Sequence, residues 1–273
     1  ENRNEQFGGM NVGFLDSMKA NREGMKAYRM HVSALQLRQN GKHAEATAKL
    51  NEAYQLYQQA YKEGFRKPSA ELAYAILTMQ MGEFERAREL MLEVSHNPET
   101  SKEDRFTLRV NFSICQWKLG QLDKAIETIR MAGQEKMNSL IYTTLGMFLI
   151  EKAKETGEFD EALEFNRKAM EYDDEDASTL DNMGQLYLLM AEHERKTGGE
   201  KAAEYRAAGA DYIRRAYEAK PDQMTSAYYR ARLLHEDGDD AAARKILDDT
   251  KDVTVTALCP VSRAQLDALR REL

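Results

Sequence analysis

The five histidines, His31, His43, His96, His193 and His235, are the side chains best suited to ligate a metal or move a proton near neutrality. None has a second histidine three or four residues away, so no helix face offers paired imidazoles to a zinc ion. The acidic run Asp173-Asp174-Glu175-Asp176 carries enough charge for calcium. It lacks the central glycine and closing glutamate of a calcium loop, and Asp237-Gly238-Asp239-Asp240 fails the same test, so both read as solvated turns. The chain has no glycine-rich phosphate loop, no dinucleotide fingerprint and no nucleophile elbow. Cys115 and Cys259 stand far apart without a CxxC, which suits a reducing compartment better than a disulfide framework. No catalytic residue, metal ligand or cofactor site is expected.

The totals narrow the partners. The chain has 273 residues, 31% charged and 42% hydrophobic, with a net charge of −7 and a pI near 5.5. A nucleic-acid binder carries a basic face, usually with a pI above about 9. Here no run of about five basic residues occurs, so nucleic acid is not an expected partner. No apolar run approaches the roughly 18 residues of a membrane span, so no membrane insertion by this chain is expected. Cytoplasm is the expected location, with an upstream targeting or anchor segment left open.

A chain without catalytic signals must be read from its elements, and those repeat. Gly82-Glu83-Phe84-Glu85-Arg86-Ala87 returns as Gly120 to Ala125 and Gly157 to Ala162, with looser copies at Gly41 to Ala46, Gly198 to Ala203 and Gly238 to Ala243. The spacings of about 41, 38, 37, 41 and 40 residues mark an array whose units bury their apolar faces on one another. Only 4 prolines interrupt the chain, which leaves room for long helices. The expected organisation is an N-terminal arm over 1–13 and a solenoid over 14–250. Its helix pairs span about 14–63, 69–95, 102–134, 138–172, 177–219 and 222–250, and a cap follows over 251–273. Ser69 is expected to cap the helix 70–81, Ser101 with Asp104 to open 102–119 and Ser262 with Gln265 to open the last helix.

Glycine suits the tight turn after the first helix of a pair, and alanine five residues later lets the second helix pass close to the first. Seven residues before the glycine stand Ala34, Ala75, Ser113, Ala191 and Ala231; in the fourth repeat Ile150 breaks the series, with Gly146 one helical turn earlier. Twelve after it stand Ala53, Val94, Ala132, Ala169, Ala210 and Thr250. These units resemble tetratricopeptide repeats, most closely over about 27–170, with Phe84 and Phe159 in the family's aromatic slot. The resemblance implies an all-α, right-handed solenoid of about six helix pairs whose first helices line a concave face. Mapped from the turn glycines, the groove positions include His31, Leu35 and Arg38, then Leu72, Ile76 and Met79, then Val110, Ile114 and Trp117, and in the fourth repeat Thr143 and Met147. The family's chaperone-binding groove grips a carboxylate with Lys, Asn and Arg, and here Leu35, Leu72 and Val110 stand at those places.

Helix 70–81 is apolar nearly all round, so it must be covered on two sides. Three covers are expected to compete: neighbouring first helices, an apolar or amphipathic helical segment of another protein, and the chain's own arm through Met10, Val12 and Phe14. The expected role is a non-enzymatic protein-interaction scaffold. The alternative is a structural or self-associating module, a homodimer included, whose groove is filled by its own or a neighbour's arm.

Overall fold

The structure, a computed structural model, describes the backbone of residues 4–273 and the side chains of residues 16–273. Thirteen α-helices account for the secondary structure of the described residues, with no strand among them. In chain order they are α1 (Asn4–Gln39), α2 (His43–Lys62), α3 (Pro68–Gln80), α4 (Phe84–His96), α5 (Lys102–Lys118), α6 (Leu122–Glu135), α7 (Ser139–Thr156), α8 (Asp160–Tyr172), α9 (Ala177–Thr197), α10 (Ala202–Ala219), α11 (Met224–Glu236), α12 (Asp240–Asp249) and α13 (Arg263–Glu272). Except at the start of α1, these limits fall within about two residues of those expected from the pattern.

The first helix differs. It begins at Asn4, so its backbone is helical through most of the stretch read as an arm. The expectation that Met10, Val12 and Phe14 fill a groove lies outside the described side chains. Gly24, which weakens the interior of a helix, is explained by its neighbour. The ring of Phe65, fully buried, lies directly over Gly24, and a Cβ there would collide with it.

The turns are built as the glycine spacing requires. At the end of α3 the Gly82 N–H donates to the Met79 carbonyl at 3.0 Å and the Glu83 N–H to the Thr78 carbonyl at 3.2 Å. This is a Schellman motif, and it needs the left-handed backbone (φ 85°) that glycine adopts without a Cβ clash. Gly41, Gly120, Gly157, Gly198 and Gly238 share the positive φ. The expected cap at Ser69 is not formed: α3 starts two residues earlier than expected, at Pro68, whose missing N–H suits the first turn. The Ser69 hydroxyl donates instead to Asp104 at 2.8 Å. Ser101 does cap α5, accepting from the Asp104 N–H at 3.0 Å.

Two compact units, Glu1–Asn111 and Phe112–Leu273, divide the chain within α5. In the first unit α1 packs on α2 and α3 on α4, and α3 also touches both helices of the preceding pair. In the second, the pairs α7/α8, α9/α10 and α11/α12 follow one another, each packed on the next. After α12 the chain runs without regular structure from Lys251 to Ser262 before α13 closes the unit. Leu266 and Leu269 of α13 are buried among Tyr228 and Ala231 of α11 and Ile246 and Leu247 of α12.

Candidate functional site

In the first unit the mapped groove positions fall into two classes. His31, Leu72, Met79 and Val110 are buried, so most of the expected floor is core. Leu35, Arg38 and Ile76 remain partly exposed. The His31 ring meets Tyr57 edge-on at 6.2 Å, and Tyr57 stacks on Tyr74 at 5.2 Å, so one aromatic column joins α1, α2 and α3. Burial, reinforced by the nearby Arg38 charge, lowers the His31 pKa to about 4, so the ring is neutral at physiological pH. A neutral, buried imidazole packed on tyrosine is a core group rather than a ligand. Among the described residues no cluster of His, Cys, Asp and Glu could hold a metal ion.

In the second unit Ile114, Thr143 and Met147 are buried and Trp117 is partly exposed. The Trp117 ring lies 5.8 Å from Phe148 on one side, and the Lys118 ammonium sits 4.0 Å from its centroid. The Lys118 ammonium also donates to the Cys259 carbonyl at 3.0 Å, across 141 residues of sequence. Desolvation lowers the Lys118 pKa from its ordinary value. The Cys259 thiol shares a hydrogen bond with the Thr225 hydroxyl at 3.3 Å, and burial raises its pKa. The segment before α13 therefore contacts both α11 and the end of α5.

A row of buried polar side chains between α7, α8 and α9 is the part that reading the sequence missed. Asn182 Nδ2 donates to the Thr143 carbonyl at 2.9 Å, and Asn166 Nδ2 to the Gly146 and Ala162 carbonyls at 3.3 and 2.9 Å. Gln185 Nε2 donates to Asp181 Oδ2 at 2.9 Å, and the Gln223 amide also lies against this buried carboxyl. Burial drives the Asp181 pKa up to about 7, against the smaller opposing effect of its amide partners. Three polar residues, Asp181, Asn182 and Gln185, within the otherwise apolar stretch from Leu180 to Ala191 were the available signal. The acidic turn before them is structural: Asp176 caps α9, accepting from the Thr179 N–H at 2.8 Å.

Comparison with known proteins fits this geometry. The heterotetramer Cut9–Hcn1 of the APC/C aligns with 93% of this chain at a TM-score of 0.51 and 12% identity. The fold is that of the tetratricopeptide-repeat proteins. The chain spans only 47% of the Cut9–Hcn1 chain it matches. YrrB, described as a tetratricopeptide-repeat protein with an unusual peptide-binding site, aligns with 80% of this chain and 97% of its own at a TM-score of 0.41 and 18% identity. BBSome complex member BBS4 of Bos taurus is 31% identical over 85 residues, which is 31% of this chain and 16% of that protein. No protein-family model matches the chain.

Within that fold the fifth repeat corrects the expected register. Ala203 is exposed and Ala210 only partly buried, so neither is the small residue at the helix crossing. Gly209, Ile213 and Ala216 are buried instead, with the spacing of Ala46, Leu50 and Ala53 or of Ala125, Ile129 and Ala132. On the first helix Gly184 takes the place expected for Ala191, two turns nearer the start. Both helices of this hairpin are simply longer at their joined ends. The shift sets Asp181 and Gln185 at the repeat positions that Thr143 and Met147 hold one unit earlier. At these two positions the fourth repeat carries Thr143 and Met147 and the fifth carries Asp181 and Gln185.

Proposed function

We propose that this protein is a non-catalytic interaction scaffold that takes an apolar or amphipathic helical segment of a partner protein against the concave face lined by its first helices. The observation that carries this reading is the chemistry of the mapped positions still open to solvent. Leu35 and Ile76 in the first unit and Trp117 in the second are apolar and partly exposed, where a carboxylate clamp would need cations and amides. Partly open apolar side chains set among buried ones give a partner desolvated area to bury, at roughly 25 cal/mol per Å². Arg38, partly exposed one helical turn beyond Leu35, adds a positive charge for an acidic residue flanking that segment.

The test is capture of partners by the intact chain and by Ile76→Glu and Trp117→Ala. Loss of the same partners in a folded variant supports the reading, and two folded variants that keep every partner overturn it. A glutamate at 76 places a charge on the apolar contact and is expected to weaken binding at least tenfold, which corresponds to about 1.4 kcal/mol.

A further inference from the structure

We infer that the outer face of α1 is a docking surface for an acidic amphipathic helix of a partner protein, which packs on it as the second strand of a coiled coil. The first observation is an exposed apolar seam. Met18, Met25 and Val32 recur at intervals of seven residues, so they share one face of the helix. Met18 is 55% exposed and Val32 39%, and Met25 and Tyr28 between them are only partly covered. The helix is anchored by its opposite face, where Ala20, Ala27 and Ala34, also seven apart, are fully buried. There α1 packs on α2 and α3. The seam is spent on none of that packing, and apolar side chains repeated at this period are the pattern by which one helix recognises another.

The second observation is charge, and it chooses the occupant. Between residues 18 and 32 stand Lys19, Arg22, Lys26 and Arg29 against Glu23 alone. All four cations are exposed. Arg22 and Arg29 each follow a seam methionine by four residues, a flanking position whose charge selects the partner of a coiled coil. Glu23 lies 3.3 Å from Arg22, but an exposed pair of this kind contributes little. A second copy of α1 laid antiparallel on the seam would set these arginines against each other; laid parallel, it would offer them only Ser17 and Gly24. A helix with Asp or Glu at the matching positions brings opposite charge to both. The seam is also narrow, whereas a helix lying in a lipid surface needs a broad apolar face. From Met18 to Val32 it runs about 21 Å, which about four turns of a partner helix span.

The test uses the intact chain and two fluorescein-labelled helical peptides with leucine at both seam positions of each heptad. One carries glutamate on its flanks and the other lysine. Fluorescence anisotropy at low salt is expected to show the glutamate peptide binding at least tenfold more tightly than the lysine peptide, with the difference shrinking in about 0.5 M salt. The double substitution Arg22→Glu/Arg29→Glu is expected to reverse that preference. Both positions are exposed, and a reversal cannot arise from unfolding. Met25→Glu is expected to weaken the glutamate peptide at least tenfold. Binding of neither peptide, equal binding of both, or a preference that survives the double substitution overturns the proposal. So does a doubled mass in sedimentation that Met25→Glu abolishes, which gives the face to a second copy. Co-sedimentation with phosphatidylserine vesicles that the double substitution abolishes gives it to a membrane and overturns the proposal equally. The outcome is separate from the Ile76→Glu test, because Ile76 lies on α3.

Discussion

Gly184 of α9 lies so close to Ile213 of α10 that a Cβ on the glycine would stand 2.7 Å from the isoleucine Cδ1 and 3.0 Å from its backbone nitrogen. The side chain can rotate away, but the backbone nitrogen cannot yield without moving the helix. Gly184→Ala is expected to destabilise the second unit by about 1–3 kcal/mol, despite alanine's better helix propensity. Ala191→Gly, at the position the sequence spacing favours, tests the alternative register. Urea titration of both variants decides: a larger loss for A191G than for G184A would reject the shifted register.

Asp181 titrates in the opposite sense to a paired surface carboxylate. Its folded pKa is raised to about 7, above the ordinary value near 4, so the native state holds a proton that the unfolded state has released. Its contribution is therefore fully present below pH ~4 and is lost as pH rises to ~7. Asp181→Asn is expected to raise stability at pH 8 by a few kcal/mol and to have little effect at pH 4. Thermal melts across that range measure the difference, and a pH-independent effect would contradict a carboxyl whose pKa is raised by burial.

His31 works against it in the same window. Its folded pKa is lowered to about 4, below the ordinary 6.5, so the unfolded state takes up the proton first. Stability is full above pH ~6.5 and falls as pH drops towards 4, by up to about 3 kcal/mol. His31→Gln is expected to flatten the acid limb of the first unit. A single-residue variant is needed to see this, because the Asp181 term of opposite sign partly masks it in the native protein.

Ser262 and Gln265 form a reciprocal capping box at the start of α13, with the Gln265 N–H donating to Ser262 Oγ at 3.2 Å and the Ser262 N–H to Gln265 Oε1 at 2.8 Å. Ser262→Ala is expected to cost about 1 kcal/mol. The loss should appear as faster hydrogen exchange in α13 with the earlier helices unaffected. Uniform acceleration across the second unit would show that the cap helix is not a separable element.

Much of this was legible from residue spacing. The left-handed turn glycine and, outside the fifth repeat, the small residue five later lie close together in sequence, which is why Gly82 and Ala87 announce a hairpin without any knowledge of their surroundings. Local chemistry also fixed Ser262 and Gln265 as a cap. The fifth repeat is ambiguous in sequence because its longer first helix carries two candidate small residues, Gly184 and Ala191, each with acceptable local sequence. Only packing against Ile213 chooses between them.

What the sequence determined by itself, then, is the kind of element and its period, since turn conformation and helix amphipathicity are short-range properties of neighbouring residues. The tertiary structure alone decided which faces are spent on the core. Leu72, Met79, Val110 and Met147, read as an apolar floor, are buried, because burial depends on how close the next pair stacks rather than on side-chain type. It also decided that Cys259 meets Lys118, 141 residues away. No local pattern encodes that contact; it exists because an array of stacked helix pairs carries the end of the chain back to an earlier helix.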